Sequence, residues 1–101
     1  MELRPGERLR SVACSTEVIV VRAPSGDLDL GCGGSAMVPA SAEQARAELD
    51  PALASRSQIG KRYVDKAATI ELLCTKTGEG TLTVSGAALV VKSARPLPSS
   101  D

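Results

Sequence analysis

The sequence predicts an all-β domain with one short helix, built as a small barrel or sandwich from two similar β-hairpin or meander units. Apolar and polar residues alternate through 69–85 around a glycine-containing break at 78–80, which is typical of a β-hairpin with one dry face. A short apolar run at 87–91 can return beside the second strand of that hairpin. A similar stretch occupies residues 18–38, so the chain is expected to contain two such units.

The core of this domain must be aliphatic. In 101 residues there is no Phe or Trp, and Tyr63 is the sole aromatic. Burying one aliphatic side chain contributes roughly 1.5–3 kcal/mol, against about 1–2 kcal/mol per residue for ordering the backbone. The margin is thin, so a homodimer that hides further aliphatic surface is expected. We assign residues 1–93 to a single domain and 94–101 to a proline-containing C-terminal tail.

Four strands are predicted in the first half. Residues 8–12 follow a turn, and residues 17–22 carry β-branched side chains on both faces, as in a central strand. Residues 27–30 alternate again, and residues 36–38 form a short further strand that ends at a proline.

One helix is predicted, at Ser41–Leu49. Ser41 stands at the N-cap position, Gln44 lies three residues later as in a capping box, and good helix formers follow. Asp50 and Pro51 should end the helix. Residues 52–58 have no sustained period and are interpreted as the linker between the halves.

The two halves can be aligned directly. Placing Val18 on Ile70 and Val20 on Leu72 matches the two alternating stretches. Further along, the same alignment places Leu28 on Leu82. Upstream, the sequence from Gly6 echoes the sequence from Gly60. Such matches also arise between unrelated amphipathic hairpins, so a pseudo-twofold β domain is a hypothesis at this point.

Charge and hydropathy exclude several function classes. The 12 basic and 12 acidic residues cancel, which leaves no basic footprint for nucleic acid. The longest apolar run, Val18–Val21, is far below the ~20 residues of a membrane span. The N-terminal sequence also lacks the apolar segment of a signal peptide. We therefore expect a cytoplasmic protein that binds neither nucleic acid nor membranes.

The residues available for catalysis are few. The chain contains no histidine, which excludes Ser-His-Asp and Cys-His catalysis and imidazole metal ligands. Cys14, Cys32 and Cys74 are widely spaced, so a disulfide framework is not expected. Three thiolates can hold zinc if they meet in space, but no CxxC pair supports that interpretation. The alternative is that Cys74 is a buried hydrophobe and the other two thiols are incidental.

Six residues are candidates for ligand binding. Cys32 lies in a glycine-rich break where backbone amides can stabilise a thiolate, and a thiol enzyme would use it as nucleophile. Lys61 and Arg62 place two cations beside Tyr63 and can grip an anion, although a solvated strand edge has the same composition. Glu17 and Arg22 are the remaining candidates, as polar groups beside an apolar interior.

The function expected from the sequence is that of a non-catalytic β module. It would act through protein contacts, as a homodimer or as the accessory subunit of an enzyme, and would need no cofactor. One alternative is a cysteine-based zinc-binding or small-ligand-binding protein. Another is a small β-barrel enzyme acting on an apolar substrate.

Overall fold

A computed structural model of the chain describes residues 2–43 and 45–92. The described residues form ten short strands and one turn of 3-10 helix. The strands of the first half are β1 Arg8–Arg10, β2 Glu17–Arg22, β3 Leu30–Cys32, β4 Ser35–Ala36 and β5 Val38–Pro39. The strands of the second half are β6 Arg62–Val64, β7 Glu71–Lys76, β8 Leu82–Val84, β9 Ala87–Ala88 and β10 Val90–Val91. The 3-10 helix, Pro51–Leu53, lies between the halves.

The strands form two antiparallel sheets. The six-stranded sheet has the order β10, β6, β7, β2, β1, β5, and the four-stranded sheet has the order β4, β3, β8, β9. These described strands leave both sheets open, so the all-β prediction is confirmed but the barrel variant is not. Each sheet ends in strands of only two residues, which limits edge-to-edge aggregation.

The two halves are related by a pseudo-twofold axis. Exchanging β1–β5 with β6–β10 reproduces the strand order of both sheets. The register agrees: Leu9 lies opposite Val18 in the first half, and Tyr63 lies opposite Leu72 in the second. The equivalent amides of Gly6 and Gly60 each donate to the second strand of their half. The expectation of two similar units is confirmed.

The residue-by-residue alignment predicted from sequence was out of register. In the structure Val18 corresponds to Leu72 rather than to Ile70. Leu82 corresponds to Leu30. The predicted alignment was shifted by two residues, which is one full period of strand alternation. Such a shift keeps every side chain on the correct face, so the hydrophobic pattern cannot detect it.

The predicted pairing of residues 18–22 with 27–30, and of residues 69–76 with 81–85, is wrong, whereas the predicted return of residues 87–91 beside the preceding strand is confirmed, because β9 pairs with β8. β2 pairs with β7 and β3 pairs with β8, so the central contacts join the two halves. Residues 23–29 and 77–81 instead carry the chain from one sheet to the other. A strand that is dry on one face satisfies either arrangement, and the sequence pattern does not say which neighbour supplies the hydrogen bonds.

Both sheets contribute to one aliphatic core. Leu9, Val18, Val20 and Leu72 come from the six-stranded sheet, and they share a cluster with residues of the four-stranded sheet. The fully or nearly fully buried members from the latter are Leu30, Cys32 and Leu82. Packing two layers around one core is the usual solution for sheets with a single dry face.

The helix predicted at Ser41–Leu49 is not present in the described part of that segment. The backbone amides there are used elsewhere: Ala47 N donates to Val12 O, and Asp50 N donates to Gly33 O, both at 2.9 Å. Tertiary hydrogen bonds therefore override local propensity. Asp50 begins a helix instead of ending one, because its Oδ1 accepts the Ala52 amide at the start of the 3-10 turn. The tail predicted at 94–101 lies outside the described residues.

Within the described ranges, the structure has no helix long and apolar enough to cross a membrane.

Candidate functional site

Cys14 lies in the turn between β1 and β2, held by a serine side chain. Ser11 Oγ accepts the amides of Ala13 at 3.0 Å and Cys14 at 3.1 Å. This Ser-based turn is a local alternative to strand pairing. In the second half the equivalent turn is held by Asp65, whose Oδ1 accepts the Thr69 amide at 2.7 Å. The turn therefore presents the Cys14 side chain in a defined position.

The sulfur of Cys14 is surrounded by polar groups and by a second thiol. Thr16 Oγ1 lies at 3.2 Å and Ser11 Oγ at 3.4 Å. The Gly80 amide donates to the sulfur at 3.3 Å. Cys32 Sγ is 3.8 Å away. Cys14 is partly exposed, whereas Cys32 is fully buried at 0%, so only one thiol of the pair is open to solvent.

These surroundings separate the pKa values of the two thiols. Partial burial raises the pKa of Cys14, but hydrogen bonds from the Ser11 and Thr16 side chains and from the Thr16 and Gly80 amides outweigh it, and the pKa falls to about 7. Burial raises the pKa of Cys32 to about 12, and the neighbouring Cys14 charge adds to that effect. At neutral pH a large part of Cys14 is therefore thiolate, whereas Cys32 is a thiol.

The Thr16 hydroxyl that contacts the Cys14 sulfur belongs to a buried pair of hydroxyl groups. Thr16 Oγ1 lies 2.6 Å from Ser57 Oγ, and both residues are 0% exposed. The Ser57 hydroxyl also donates to Gly78 O at 3.4 Å. Gly78 packs against the same group, because a Cβ there would lie 2.5 Å from Thr16 N and 2.9 Å from Cys14 Sγ.

A small pocket of about 180 Å³ opens at Cys14. It combines a thiol with one cationic and one anionic side chain, beside apolar atoms. The lining residues are Ala13, Cys14, Ser15, Arg46, Leu49 and Glu79.

The structure brings together two of the three predicted zinc ligands. Cys74 donates its S–H to Lys76 O at 3.3 Å, and burial raises its pKa. Among the described residues, no group of three or more His, Cys, Asp or Glu side chains is arranged to hold a metal ion. The zinc prediction finds no support in this geometry. Cys74 corresponds to Val20 in the first half and, like Val20, lies in the core.

The six predicted ligand-binding residues do not converge on one place. Glu17 Oε2 lies 3.9 Å from Lys76 Nζ on the neighbouring strand. Arg22 is exposed at the end of β2, opposite Glu71. Cys32 is buried beside Cys14. The polar groups expected around an apolar ligand are thus distributed over the six-stranded sheet.

Lys61, Arg62 and Tyr63 point to three different environments. Lys61 is exposed. Tyr63 is buried, and its hydroxyl accepts the Gln58 amide at 2.8 Å; burial raises its pKa. Arg62 Nη1 lies 3.2 Å from Glu71 Oε2. Arg62 and Tyr63 begin β6, with Arg62 exposed and Tyr63 buried, and Lys61 precedes the strand.

Glu71 is a buried carboxylate that sequence reasoning missed. Its side chain is 6% exposed and contacts Arg62 on one oxygen and Lys92 Nζ, at 3.1 Å, on the other. The hydrogen bond from Lys92 is the main cause that lowers the pKa of Glu71, opposed by burial and aided by the Arg62 charge. Its equivalent in the first half, Glu17, is far more exposed. The sequence signal for this ion pair was the opposite charge of Glu71 and Arg62, which lie near each other on the adjacent strands β7 and β6.

The two halves differ in how one surface is covered. We name residues 41–43 and 45–50 the crossing segment. In the first half it is hydrogen-bonded to Val12 O and Gly33 O. Its Leu49 packs so tightly that a Cβ on Gly33 would lie 2.6 Å from Leu49 Cδ1. Arg10 Nη2 adds a bond to Ala42 O at 2.6 Å.

The equivalent surface of the second half is an apolar groove of about 270 Å³, here called the C-terminal groove. Val90 on its rim is 59% exposed. Arg10 of the covered surface corresponds to Val64 of this groove, and the exposed Ala36 corresponds to Ala88. The lining residues are Val64, Asp65, Lys66, Val84, Ala87, Ala88, Leu89 and Val90.

Fold and sites together define a small all-β protein of two similar halves, with a thiol pair in the first and an apolar groove in the second. No family model matches the chain, and comparison with the curated proteins and with the solved structures found no match.

Proposed function

We propose that this chain is a non-catalytic β module of the cytoplasm that binds an extended segment of a partner protein in the C-terminal groove. The observation that carries the proposal is the difference between the halves. The same surface is covered by the crossing segment in the first half and is a groove in the second. The contacts of the crossing segment in the first half therefore serve as a model, here called the template, for how a partner segment would bind the groove.

The template defines the chemistry of the partner segment. In the first half the crossing segment donates backbone amides to Val12 O and Gly33 O and places Leu49 against Gly33. The corresponding carbonyls in the second half are those of Lys66 and Ser85. A partner segment with small apolar residues and one leucine-sized side chain repeats these contacts. Main-chain hydrogen bonds then supply affinity and the side-chain pocket supplies selectivity.

The composition of the groove favours binding by such a segment. Ala87, Ala88 and Val90 are exposed apolar residues next to each other on short edge strands. Exposed apolar patches of this kind commonly mark interaction sites. The free thiols in the described residues fit a reducing compartment such as the cytoplasm.

The test uses a synthetic peptide with the sequence of residues 41–50 as probe. Amide chemical shifts of the full chain are followed by NMR during titration. We expect saturable shifts centred on residues 84–90. Ala88→Glu places a charge in the groove and should abolish them, whereas Ala36→Glu, the same change at the equivalent exposed position, should leave them intact.

A variant truncated after Lys92 shows where the segment that occupies the groove comes from. Binding that strengthens on truncation shows that residues 93–101 compete for the groove, and concentration-dependent dimerisation lost in Ala88→Glu identifies a second copy as the partner. Either outcome keeps the groove as the docking site. Shifts that are absent from both chains, or unaffected by Ala88→Glu, would overturn the proposal.

A further inference from the structure

We propose that Cys14 and Cys32 form a reversible redox pair that is oxidised to a disulfide by small hydroperoxides. The proposal stands on the position of the two sulfurs, 3.8 Å apart, and on their unequal access to solvent. It is independent of the C-terminal groove, which lies in the other half of the fold.

The two thiols have the separate roles that such a pair requires. Cys14 lines the pocket of about 180 Å³, which admits a small oxidant, and Cys32 is fully buried behind it. An accessible thiolate is the attacking group in peroxide reduction, and an adjacent thiol resolves the product. The low pKa of Cys14 and the high pKa of Cys32 agree with that assignment.

Packing alone does not explain the pair. By the pseudo-twofold axis, the positions of Cys14 and Cys32 correspond to Ala68 and Val84 in the second half. The same fold is therefore built there without sulfur. The Thr16 hydroxyl lies 3.2 Å from the Cys14 sulfur and the Gly80 amide donates to it at 3.3 Å, and hydrogen bonds of this kind stabilise a thiolate.

The chemistry balances with the hydroperoxide as the only oxidant. The Cys14 thiolate attacks the terminal oxygen; the S–O bond forms, the O–O bond breaks, and the leaving alkoxide takes a proton from water to become an alcohol. Cys14 is then a sulfenic acid. The Cys32 sulfur attacks it; the S–S bond forms, the S–O bond breaks, and hydroxide leaves with the Cys32 proton as water. The two thiols lose two electrons and the peroxide gains them.

The test treats the full reduced chain, under native conditions, with hydrogen peroxide. Intact mass should fall by two hydrogens, peptide mapping should find a Cys14–Cys32 link, and dithiothreitol should restore the original mass. We expect the Cys14 thiol to be lost at least ~10-fold faster than the Cys74 thiol, since exposed thiolates react and buried thiols do not.

Two variants make the assignment specific. In Cys32→Ser the sulfenic acid has no resolving thiol, so dimedone should label Cys14 after peroxide treatment. Cys74→Ser removes the other buried thiol and should form the Cys14–Cys32 link at the wild-type rate. Unchanged thiols in the wild type, a link to Cys74, a Cys14–Cys14 link between chains, or over-oxidation of Cys14 in place of a link would each overturn the proposal.

Discussion

At the residue scale, short polar contacts decide which side chains are reactive and which are structural. Cys14 and Cys32 are neighbours, yet hydrogen bonds lower the pKa of one while burial raises that of the other. The sequence singled out Cys32, because glycine-rich surroundings suggest exposed amides. In the structure Cys32 is buried, and the amide that contacts a thiol comes from Gly80, distant in sequence. No local pattern carries that information.

Cys14 should react with iodoacetamide as a thiolate near neutral pH. Because its pKa is lowered to about 7, the alkylation rate should rise with pH and reach half its maximum near pH 7. Cys32 and Cys74 should stay unmodified in the native chain. Peptide mapping after timed alkylation measures this, and a half-maximum near the ordinary thiol value of 9.0 would show that the hydrogen bonds do not act as described.

Glu71 should contribute to stability through its two cationic partners. Glu71→Gln keeps the shape but loses both ion pairs, and we expect a loss of about 1 kcal/mol, since Arg62 and Lys92 are themselves half exposed. Glu17→Gln is the matched control at the equivalent position and should change the free energy of unfolding by less than about 0.5 kcal/mol. Urea denaturation of both variants measures the difference.

The same carboxylate sets a pH dependence. Its pKa is lowered in the folded chain from the usual 4.5, so the folded state binds the proton less readily than the unfolded state. The stabilisation is complete above pH 4.5 and is lost as pH falls through the lower folded value. The stability gap between wild type and Glu71→Gln should therefore shrink on acidification below 4.5, and a gap that widens would contradict the ion-pair account.

At the element scale, tertiary contacts decided the segments that the sequence left ambiguous. Strand positions followed from alternation and were largely predictable. The crossing segment has helix formers and a capping pattern, yet its described residues have no regular secondary structure, because Val12 and Gly33 offer carbonyls to its amides. Strand partners were likewise not predictable, since β2 is equally dry whether it pairs with β3 or with β7.

Gly78 should tolerate no side chain, because the turn before β8 packs directly on the thiol site. Gly78→Ala places a Cβ against Thr16 N and Cys14 Sγ. We expect a loss of about 1–3 kcal/mol, the usual cost of overpacking. Its exposed neighbour gives the control: Glu79→Ala should change stability by less than about 0.5 kcal/mol. Equal unfolding midpoints for the two variants would mean that the turn moves away from the site without cost.

At the scale of the whole molecule, the duplication governs the architecture. The internal similarity was detectable from sequence, through alternation and the echo of Gly6 at Gly60. The strand pairing was not detectable from sequence. Each sheet contains strands of both halves, so neither half has a sheet of its own. Among the described residues the halves differ at one surface, which the crossing segment contacts in the first half and which is a groove in the second.

Both halves should therefore unfold together. Leu72→Ala removes a fully buried side chain next to the β2 and β7 pairing and should cost about 2–5 kcal/mol. Tyr63 fluorescence reports on the second half and thiol labelling of Cys32 on the first. In urea the two probes should give one midpoint, for the wild type and for the variant. Two separate midpoints would show that the halves are independent units.

The pseudo-twofold fold requires strands that pair between halves rather than within them, and interstrand nuclear Overhauser effects measure this pairing directly. We predict contacts between Val18 and Cys74 and between Gly31 and Thr83, together with contacts from Leu49 to Gly33. Contacts that instead join residues 18–22 to residues 27–30, as a local hairpin would give, would contradict the pseudo-twofold fold and the groove derived from it.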